Sequence, residues 1–469
     1  MRIRLLGHHV YLSIAVLTAT EAVLFFGSVY AAAMARFHVE LAALPDVKEL
    51  HGAVWPRALV FSTIMVLCLL AFGLYSARQR ARFAGMVIRV AIALLAGFAV
   101  TGTLFYMIPA LWIGRGVAGL AAIGGLGGVV VSRLVFAHVV DENIFKRRVL
   151  VYGAGATAAA IAGLRRRADR RGFFVVGFLP AHRDERAVGI DKIIDTQGNL
   201  VHLCQRLGVT EVVVAMDDRR RDFPVRELLQ CRLAGIEVTE VLTFLERETG
   251  RVRIDVLNPS WMIFGEGFRR DPFQRLVLRL VDLAGSLLVV PVALPFMIAT
   301  ALAIKLEDGW RAPVLYRQPR VGLGGRIFNV LKFRSMRTDA ERDGRALWAQ
   351  KRDPRVTRVG SFIRKVRIDE LPQILNVLAG HMSLVGPRPE RPQFVTQLAE
   401  RIPYYLERHS VKPGITGWAQ LCYPYGSSEQ DTLEKLQYDL FYIKNRTLLF
   451  DLAILLQTAE VVFLGKGAR

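Results

Sequence analysis

The sequence predicts three successive architectures: an α-helical membrane bundle, an α/β domain with a mainly parallel sheet, and a mainly helical α+β region carrying one more membrane-inserted helix. Three observations lead there. Apolar residues fill 52% of the 469 positions and mean hydropathy is +0.32, too apolar for an ordinary soluble protein. From Arg148 onward, short apolar runs alternate with helical, polar segments. Beyond residue 250, a 22-residue stretch without charge, Leu283 to Ile304, stands between basic clusters and precedes a segment dense in paired charges.

The first 140 residues hold four long apolar runs, near 10–34, 57–76, 86–108 and 117–137. At about 1.5 Å per residue, the first exceeds the roughly 30 Å hydrocarbon core of a bilayer. It is too long, and lacks the small-residue cleavage site, for a signal peptide. Arg2 and Arg4 precede the first run, Arg78, Arg80, Arg82 and Arg89 lie between the second and third, and Lys146, Arg147 and Arg148 follow the fourth. The intervening loops carry isolated charges such as Lys48 and Arg115. The positive-inside rule therefore places both ends of a four-helix bundle, 1–140, in the cytoplasm. Glu21 interrupts the first run; facing a helix neighbour inside the bundle is the expectation, with a transport role as the alternative.

In the α/β domain, 147–250, Val149 to Tyr152, Phe173 to Leu179, Glu211 to Ala215 and Ile236 to Val241 read as strands, and Ala159 to Arg170 as a helix. The turn between the first strand and that helix contains Gly153, Gly155 and Ala158, a degenerate GxGxxA fingerprint whose two glycines let a pyrophosphate approach a helix N-terminus. No acid stands at the end of the second strand to take a ribose hydroxyl, Asp184 being later than expected. Two readings stay open for this Rossmann-like domain: a nucleotide site, or a structural and oligomerising module with no nicotinamide cofactor.

Residues 251–272 read as a linker, with Asn258, Pro259, Trp261 and Phe264 suited to a membrane surface. The uncharged run after it is long enough to span. Yet Arg269, Arg270, Arg275 and Arg279 precede it, and Lys305, Arg311, Arg317 and Arg320 follow, so a span would put one cluster on the wrong side. Pro291 and Pro295 each remove a helix hydrogen bond. A re-entrant helix over about 276–305, bent at those prolines, is expected. Toward the C-terminus, Arg391 to Glu407 and Leu433 to Lys444 read as amphipathic helices. Leu448 to Leu464, with Asp451 and Glu460, reads as an interfacial or core-packed helix.

The stretch Arg364-Lys365-Val366-Arg367-Ile368-Asp369-Glu370-Leu371-Pro372-Gln373 places two adjacent carboxylates among cations where a helix should start. Pro372 tolerates only the first helical turn, and Ile374, Leu375 and Leu378 supply the apolar stripe behind it. An ionised aspartate there can attack phosphorus, and its neighbour can hold a metal ion; the plainer reading is a helix with acids in its first turn. The flanks are Lys332-Phe333-Arg334, Gly386-Pro387-Arg388-Pro389 and Pro413-Gly414-Ile415-Thr416-Gly417. A formal net charge of +21 suits an anionic partner such as a phospholipid surface, a nucleotide or a phosphorylated lipid. Nucleic acid is disfavoured, because the cations cluster beside apolar segments and no nucleic-acid motif accompanies them. Cys68, Cys204, Cys231 and Cys422 are scattered, implying neither disulfides nor zinc.

In this order and at these spacings, the blocks over roughly 270–469 closely resemble the bacterial sugar transferase family, the large monotopic polyprenyl-phosphate hexose-1-phosphate transferases. The segment from Leu421 to Gly426 resembles the exopolysaccharide-system type. The resemblance implies a monotopic catalytic domain, 273–469, in which Asp369 is the nucleophile and Glu370 binds Mg2+. Lys332, Arg334, Arg367 and Arg388 are then candidates to hold phosphates. Where the family breaks its re-entrant helix at Ser-Pro, this chain has Leu294 before Pro295. The implied reaction moves a sugar-1-phosphate from a UDP-sugar to a polyprenyl (undecaprenyl) phosphate with release of UMP. It would take place at the cytoplasmic face of the bacterial inner membrane, with anionic lipids and a second copy of the chain as further partners. Two alternatives compete. A membrane-tethered nucleotide-sugar dehydratase or epimerase needs Y-x-x-x-K, a spacing this chain lacks. A non-catalytic scaffold would not need the Asp-Glu, Lys-Phe-Arg and Gly-Pro-Arg-Pro blocks.

Overall fold

The computed structural model describes residues 2–5, 8–38, 53–72, 74–75, 83–139, 146–164, 166–170, 172–182, 185–194, 198–218, 220, 222–257, 272–338, 355–423 and 428–463. The expectations for Lys48, Arg78, Arg80, Arg82, Asp184, Asn258, Pro259, Trp261, Phe264, Arg269 and Arg270 lie outside these residues. The chain forms two compact units, Met1–Val241 and Leu242–Arg469.

In the first unit a short antiparallel hairpin, β1 (Arg2–Leu5) and β2 (His8–Tyr11), leads into α1 (Leu12–Phe37). Then come α2 (Trp55–Ala71), α3 (Phe83–Met107) and α4 (Arg115–Val139). Segments of α1, α3 and α4 are long and apolar enough to cross a membrane, whereas α2, expected to reach residue 76, is a shorter helix of 17 residues. Phe25, Phe61, Met65 and Val90 are fully buried between the helices. Leu59, Leu67, Leu95, Ile123 and Val131 face outward, as helices that meet lipid should. Glu21 is fully buried and pairs with Arg133 at 2.8 Å, while the Tyr75 hydroxyl donates to it at 2.5 Å. Two charges removed from water persist only when paired in this way.

The Rossmann-like domain of the first unit contains β3 (Arg147–Tyr152), β4 (Phe173–Leu179), β5 (Glu211–Val214) and β6 (Glu237–Glu240), all parallel, in the order β4-β3-β5-β6. Val149, Leu150 and Val151 are all buried because a central parallel strand is covered on both faces. Helix α5 spans only Ala156–Ala162; the expected helix to Arg170 ends at Gly163 and resumes as a separate 3-10 turn, Arg167–Arg170. Helices α6 (Leu200–Arg206) and α7 (Val225–Leu233) share a core with β5 through Leu203, Cys204, Leu228, Cys231 and Val212. The four cysteines are free.

Helix α8 (Val241–Thr249) starts at the boundary and packs with the second unit: Glu246 pairs with Lys444 at 2.7 Å, and the Val252 amide donates to the Gln437 carbonyl. The second unit is otherwise built on α9 (Pro272–Asp308), a helix that runs unbroken through Pro291 and Pro295. The prolines remove two amide donors without ending it, since their fixed φ is compatible with a helix. Leu287, Leu288, Val292, Phe296 and Ile298 along its middle are exposed, and it is long and apolar enough to cross a membrane. Both of its ends are fastened to the same small group of elements, which comprises the hairpin β7 (Leu315–Val321) and β8 (Ile327–Phe333), α10 (Arg358–Lys365), α11 (Gln373–Leu378) and β9 (Ser383–Val385).

Near its start, Arg279 donates to the Val377 and Leu378 carbonyls at 2.6 and 2.8 Å, and Asp282 accepts from the Ser383 hydroxyl and the Leu384 amide, both at 2.9 Å. Near its end, Ile304 is buried against Phe333 and Ile363, Glu307 accepts from the first two amides of α10, and Asp308 pairs with Arg334.

The remaining elements are α12 (Pro392–Arg401), β10 (Gly414–Thr416), α13 (Trp418–Cys422), α14 (Glu429–Lys444) and α15 (Leu448–Phe463). The helix expected to run to Glu407 stops at Arg401, because Pro403 follows and Tyr404 takes a left-handed φ of 60°. A 3-10 helix, Tyr405–Ser410, replaces its last turns. Helix α14 begins four residues earlier than expected, at a reciprocal capping box of Ser428 and Asp431.

Candidate active site

Asp369 and Glu370 lie in a 3-10 turn, Ile368–Glu370, that runs directly into α11, with Pro372 at the helix cap rather than inside the first turn. The turn starts at Arg367, which has a left-handed φ of 63°. Such a backbone is strained for a side chain with Cβ, and it reverses the chain between α10 and the two acids. Asn376 fixes α11 against β8: its amide group donates to the Asn329 carbonyl at 2.8 Å and its oxygen accepts from the Leu331 amide at 2.9 Å. That clamp sets Lys332, the next residue of β8, opposite the acidic pair.

The two acids have unlike surroundings. Glu370 Oε1 accepts from Arg388 at 2.7 Å and lies 3.4 Å from the Lys332 ammonium. Burial alone would push this carboxyl up, but Arg388 and Lys332 outweigh it and hold it well below the usual range. Asp369 makes no hydrogen bond or ion pair among the described residues. Burial raises its pKa and the neighbouring Glu370 raises it further, against Lys332, Arg364 and Arg367. Burial lowers the pKa of Lys332, with Arg388 and Arg320 adding to it and Glu370 opposing.

Arg388 reaches Glu370 because its loop is held from three sides. Gly386 and Gly414 approach backbone to backbone: the Gly386 amide donates to the Thr416 carbonyl, and a Cβ at Gly386 would lie 2.4 Å from the Lys412 carbonyl oxygen. The Gly-Pro-Arg-Pro and Pro-Gly-Ile-Thr-Gly blocks are thus packing partners. Arg408, itself buried and paired with Asp439 at 2.8 Å, donates to the Arg388 carbonyl at 3.0 Å. Arg320 donates to the next carbonyl, of Pro389, at 3.0 Å. Arg334 is placed differently from the other basic candidates, with its guanidinium engaged by Asp308 and the Pro313 carbonyl at 2.7 Å each.

The sequence pattern described as bacterial sugar transferase matches residues 273–465, and one described as a CoA-binding domain matches residues 70–226. The UDP-glucose:undecaprenyl-phosphate glucose-1-phosphate transferase of Xanthomonas campestris pv. campestris is 33% identical over 374 residues, covering 76% of this chain and 75% of that one. The chain belongs to the bacterial sugar transferase family. A protein of the same name from Escherichia coli (strain K12) is 35% identical, with 69% of each chain covered. The UDP-N-acetylgalactosamine-undecaprenyl-phosphate N-acetylgalactosaminephosphotransferase of Aeromonas hydrophila is 45% identical over 244 residues, 52% of this chain and 56% of that one. The match thus spans just over half the length of that relative.

The sugar transferase segment begins one residue into α9 and runs to the end of α15, so α9 is part of the family's own unit. Sequence reasoning missed three residues that shape this transferase site, Arg320, Arg408 and Asp439. A positive charge in a helix or strand carries no sign of which carbonyl it will meet. Asp439 between Tyr438 and Leu440, an acid in an otherwise apolar stretch, was the one available signal.

Proposed function

We propose that this protein transfers a sugar-1-phosphate from a UDP-sugar to a polyprenyl phosphate, releasing UMP and starting a glycan on its lipid carrier. The relatives named above, which act on undecaprenyl phosphate, support the reaction class; their names differ in the sugar, so the hexose is left open. The observation that carries the mechanism is the asymmetry of the acidic pair: Glu370 is clamped by two cations, while the Asp369 carboxylate makes no hydrogen bond or ion pair among the described residues. Asp369 attacks the β-phosphorus of the UDP-sugar, an Asp–O–P bond forms, the bond to the α-phosphate oxygen breaks, and UMP leaves with that electron pair. An oxygen of the lipid phosphate then attacks the same phosphorus and displaces Asp369. Lys332 and Arg388 offset diphosphate charge in both steps, and Arg367 borders the same turn.

Mg2+ fits the donor set, since this ion takes one or two carboxylates together with substrate phosphates and requires no cage of protein ligands. Among the described residues there is no cluster of three or more metal-binding side chains; Glu370, beside Asp369, is the residue that the family resemblance assigns to the ion. When bound, the ion supplies charge neutralisation at the diphosphate.

The membrane placement rests on the same unit. The stretch from Arg279 to Ile304 would cover about 37 Å as a straight helix. Its two ends nevertheless meet α11 and β8, which Asn376 ties together; this supports a helix that stays helical but bends at Pro291 and Pro295, entering and leaving by one leaflet. Such an arrangement supports a site on the cytoplasmic side of the inner membrane, where the arginine-rich flanks and an anionic lipid surface would attract each other. A second copy is the proposed occupant of the exposed stripe Val225, Leu229 and Leu233 on α7. The reaction is tested by incubating the full-length protein in nanodiscs containing undecaprenyl phosphate with a panel of UDP-sugars. UMP release that depends on the lipid phosphate is expected with at least one of them; no UMP from any would refute the assignment.

A further inference from the structure

The middle domain carries the glycine-rich turn of a nucleotide-binding sheet, and the CoA-binding pattern covers it. Such a turn serves a pyrophosphate with the amides between its glycines and at the start of the next helix. Here those amides already have acceptors. Ala156 and Thr157 donate to the two carboxylate oxygens of Asp217, each at 2.8 Å. Ala154 donates to Oε2 of Glu185 at 2.8 Å, and that oxygen also accepts from the Ala181 amide at 3.0 Å. The second glycine does permit a close approach, but the group that approaches is Asp217: a Cβ on Gly155 would lie 2.0 Å from its Oδ2.

The two carboxylates converge from opposite sides of the central strand. Asp217 follows β5 and Glu185 follows β4, so both stand at the C-terminal edge of the sheet, beside the point where strand order reverses and where open α/β sheets take their ligands. The edge is acidic beyond these two. Besides burial, Glu227, Glu185 and Asp222 raise the pKa of the Tyr152 hydroxyl at the end of β3. Asp217 itself stays ionised: burial pushes its carboxyl up, but the hydrogen bonds from Thr157 and Ala156 outweigh that and hold it below the ordinary range.

We infer that Asp217 and Glu185 occupy the phosphate positions of the glycine-rich turn, so that the domain takes neither CoA nor a dinucleotide there. The turn keeps the backbone geometry of a ligand site and uses it to join β3, β4 and β5 at one end. A pyrophosphate would have to expel Asp217 and then sit beside Glu185.

The test uses the full-length protein in nanodiscs. Equilibrium dialysis against radiolabelled CoA or ADP, with UDP present to fill the catalytic unit, should give no saturable uptake at millimolar ligand. Asp217→Gly should melt below the wild type, and inorganic phosphate, added with UDP present to fill the catalytic unit, should raise the melting temperature of the variant more than that of the wild type, because two freed amides can then donate to an anion. Stoichiometric uptake of CoA or ADP by the wild type overturns the inference, as does an Asp217→Gly protein that responds to phosphate no differently from the wild type. Should the glycine variant fail to fold, the dialysis result on the wild type decides alone.

Discussion

Asp369 and Glu370 are one peptide bond apart, and their substitutions should nonetheless fail in different ways. Asp369→Asn keeps the side-chain size and removes the anionic oxygen, so both UMP release and any radiolabelled phosphosugar adduct should disappear while the protein remains folded. The expected loss is on the order of a thousandfold or more in rate, roughly 4 kcal/mol of barrier. Glu370→Gln should lower turnover and also shift the Mg2+ concentration needed for half-maximal rate, since Glu370 is the residue proposed to hold the ion. An Asn variant with a tenth of wild-type turnover would rule out the covalent route.

His409 supplies a pH prediction: burial, then Arg408, depresses its pKa from 6.5 to about 4. The unfolded chain therefore binds the extra proton first, and stability present above pH 6.5 is lost as the pH falls toward 4, by on the order of 2 kcal/mol. Thermal melting of His409→Gln should vary less across that window than melting of the wild type; equal slopes would show that the histidine is not the source. At this scale the acidic pair was legible because its signal is local: charge density, a proline and an apolar stripe within ten residues. The strained φ of Arg367 and the pairing of Arg408 with Asp439 were not, since the apolar neighbours of Asp439 show that it needs a partner but not which one.

Helix α9 shows what an element adds. Its uncharged length, its basic flanks and its two prolines could all be read from the sequence, and the prolines pointed to a bend. The chain stays helical through them. What holds its ends could not be read, because Arg279 meets Val377 across 98 positions of chain and Asp282 meets Ser383 across 101. Phe273→Cys, in the first turn of the helix, and Trp310→Cys, just past its end, both at exposed positions, should resist an impermeant thiol reagent added outside intact cells in a cysteine-free background. Labelling of either would mean that α9 crosses the bilayer. Replacing Pro291 and Pro295 together with alanine restores two helix hydrogen bonds and straightens the segment, so labelling should then appear and activity fall. The same limit on local reading applied to α12, where Pro403 was visible but the helix was expected to pass it.

At the scale of the whole molecule, hydropathy and strand alternation pointed to a membrane bundle, a parallel sheet and a catalytic region, and the structure forms two compact units, with α1 to α4 and the parallel sheet in the first. The boundary between the units was not legible, because α8 is assigned by long-range contacts, the bonds of Glu246 to Lys444 and Asn445, that no local pattern announces. If α7 pairs with a second copy, Leu229→Glu and Leu233→Glu together should convert dimers to monomers on sizing in detergent; an unchanged dimer would place the contact elsewhere.

The anchoring of α9 has one more consequence. If α9 is re-entrant as proposed, the second unit brings its own apolar helix with both ends tied down internally, and its grip on lipid does not depend on α1, α3 and α4. A fragment of residues 242–469 made alone should sediment with membranes and resist a carbonate wash that strips peripheral proteins. Its release into the supernatant would show that the first unit, not the second, keeps the enzyme beside its lipid carrier.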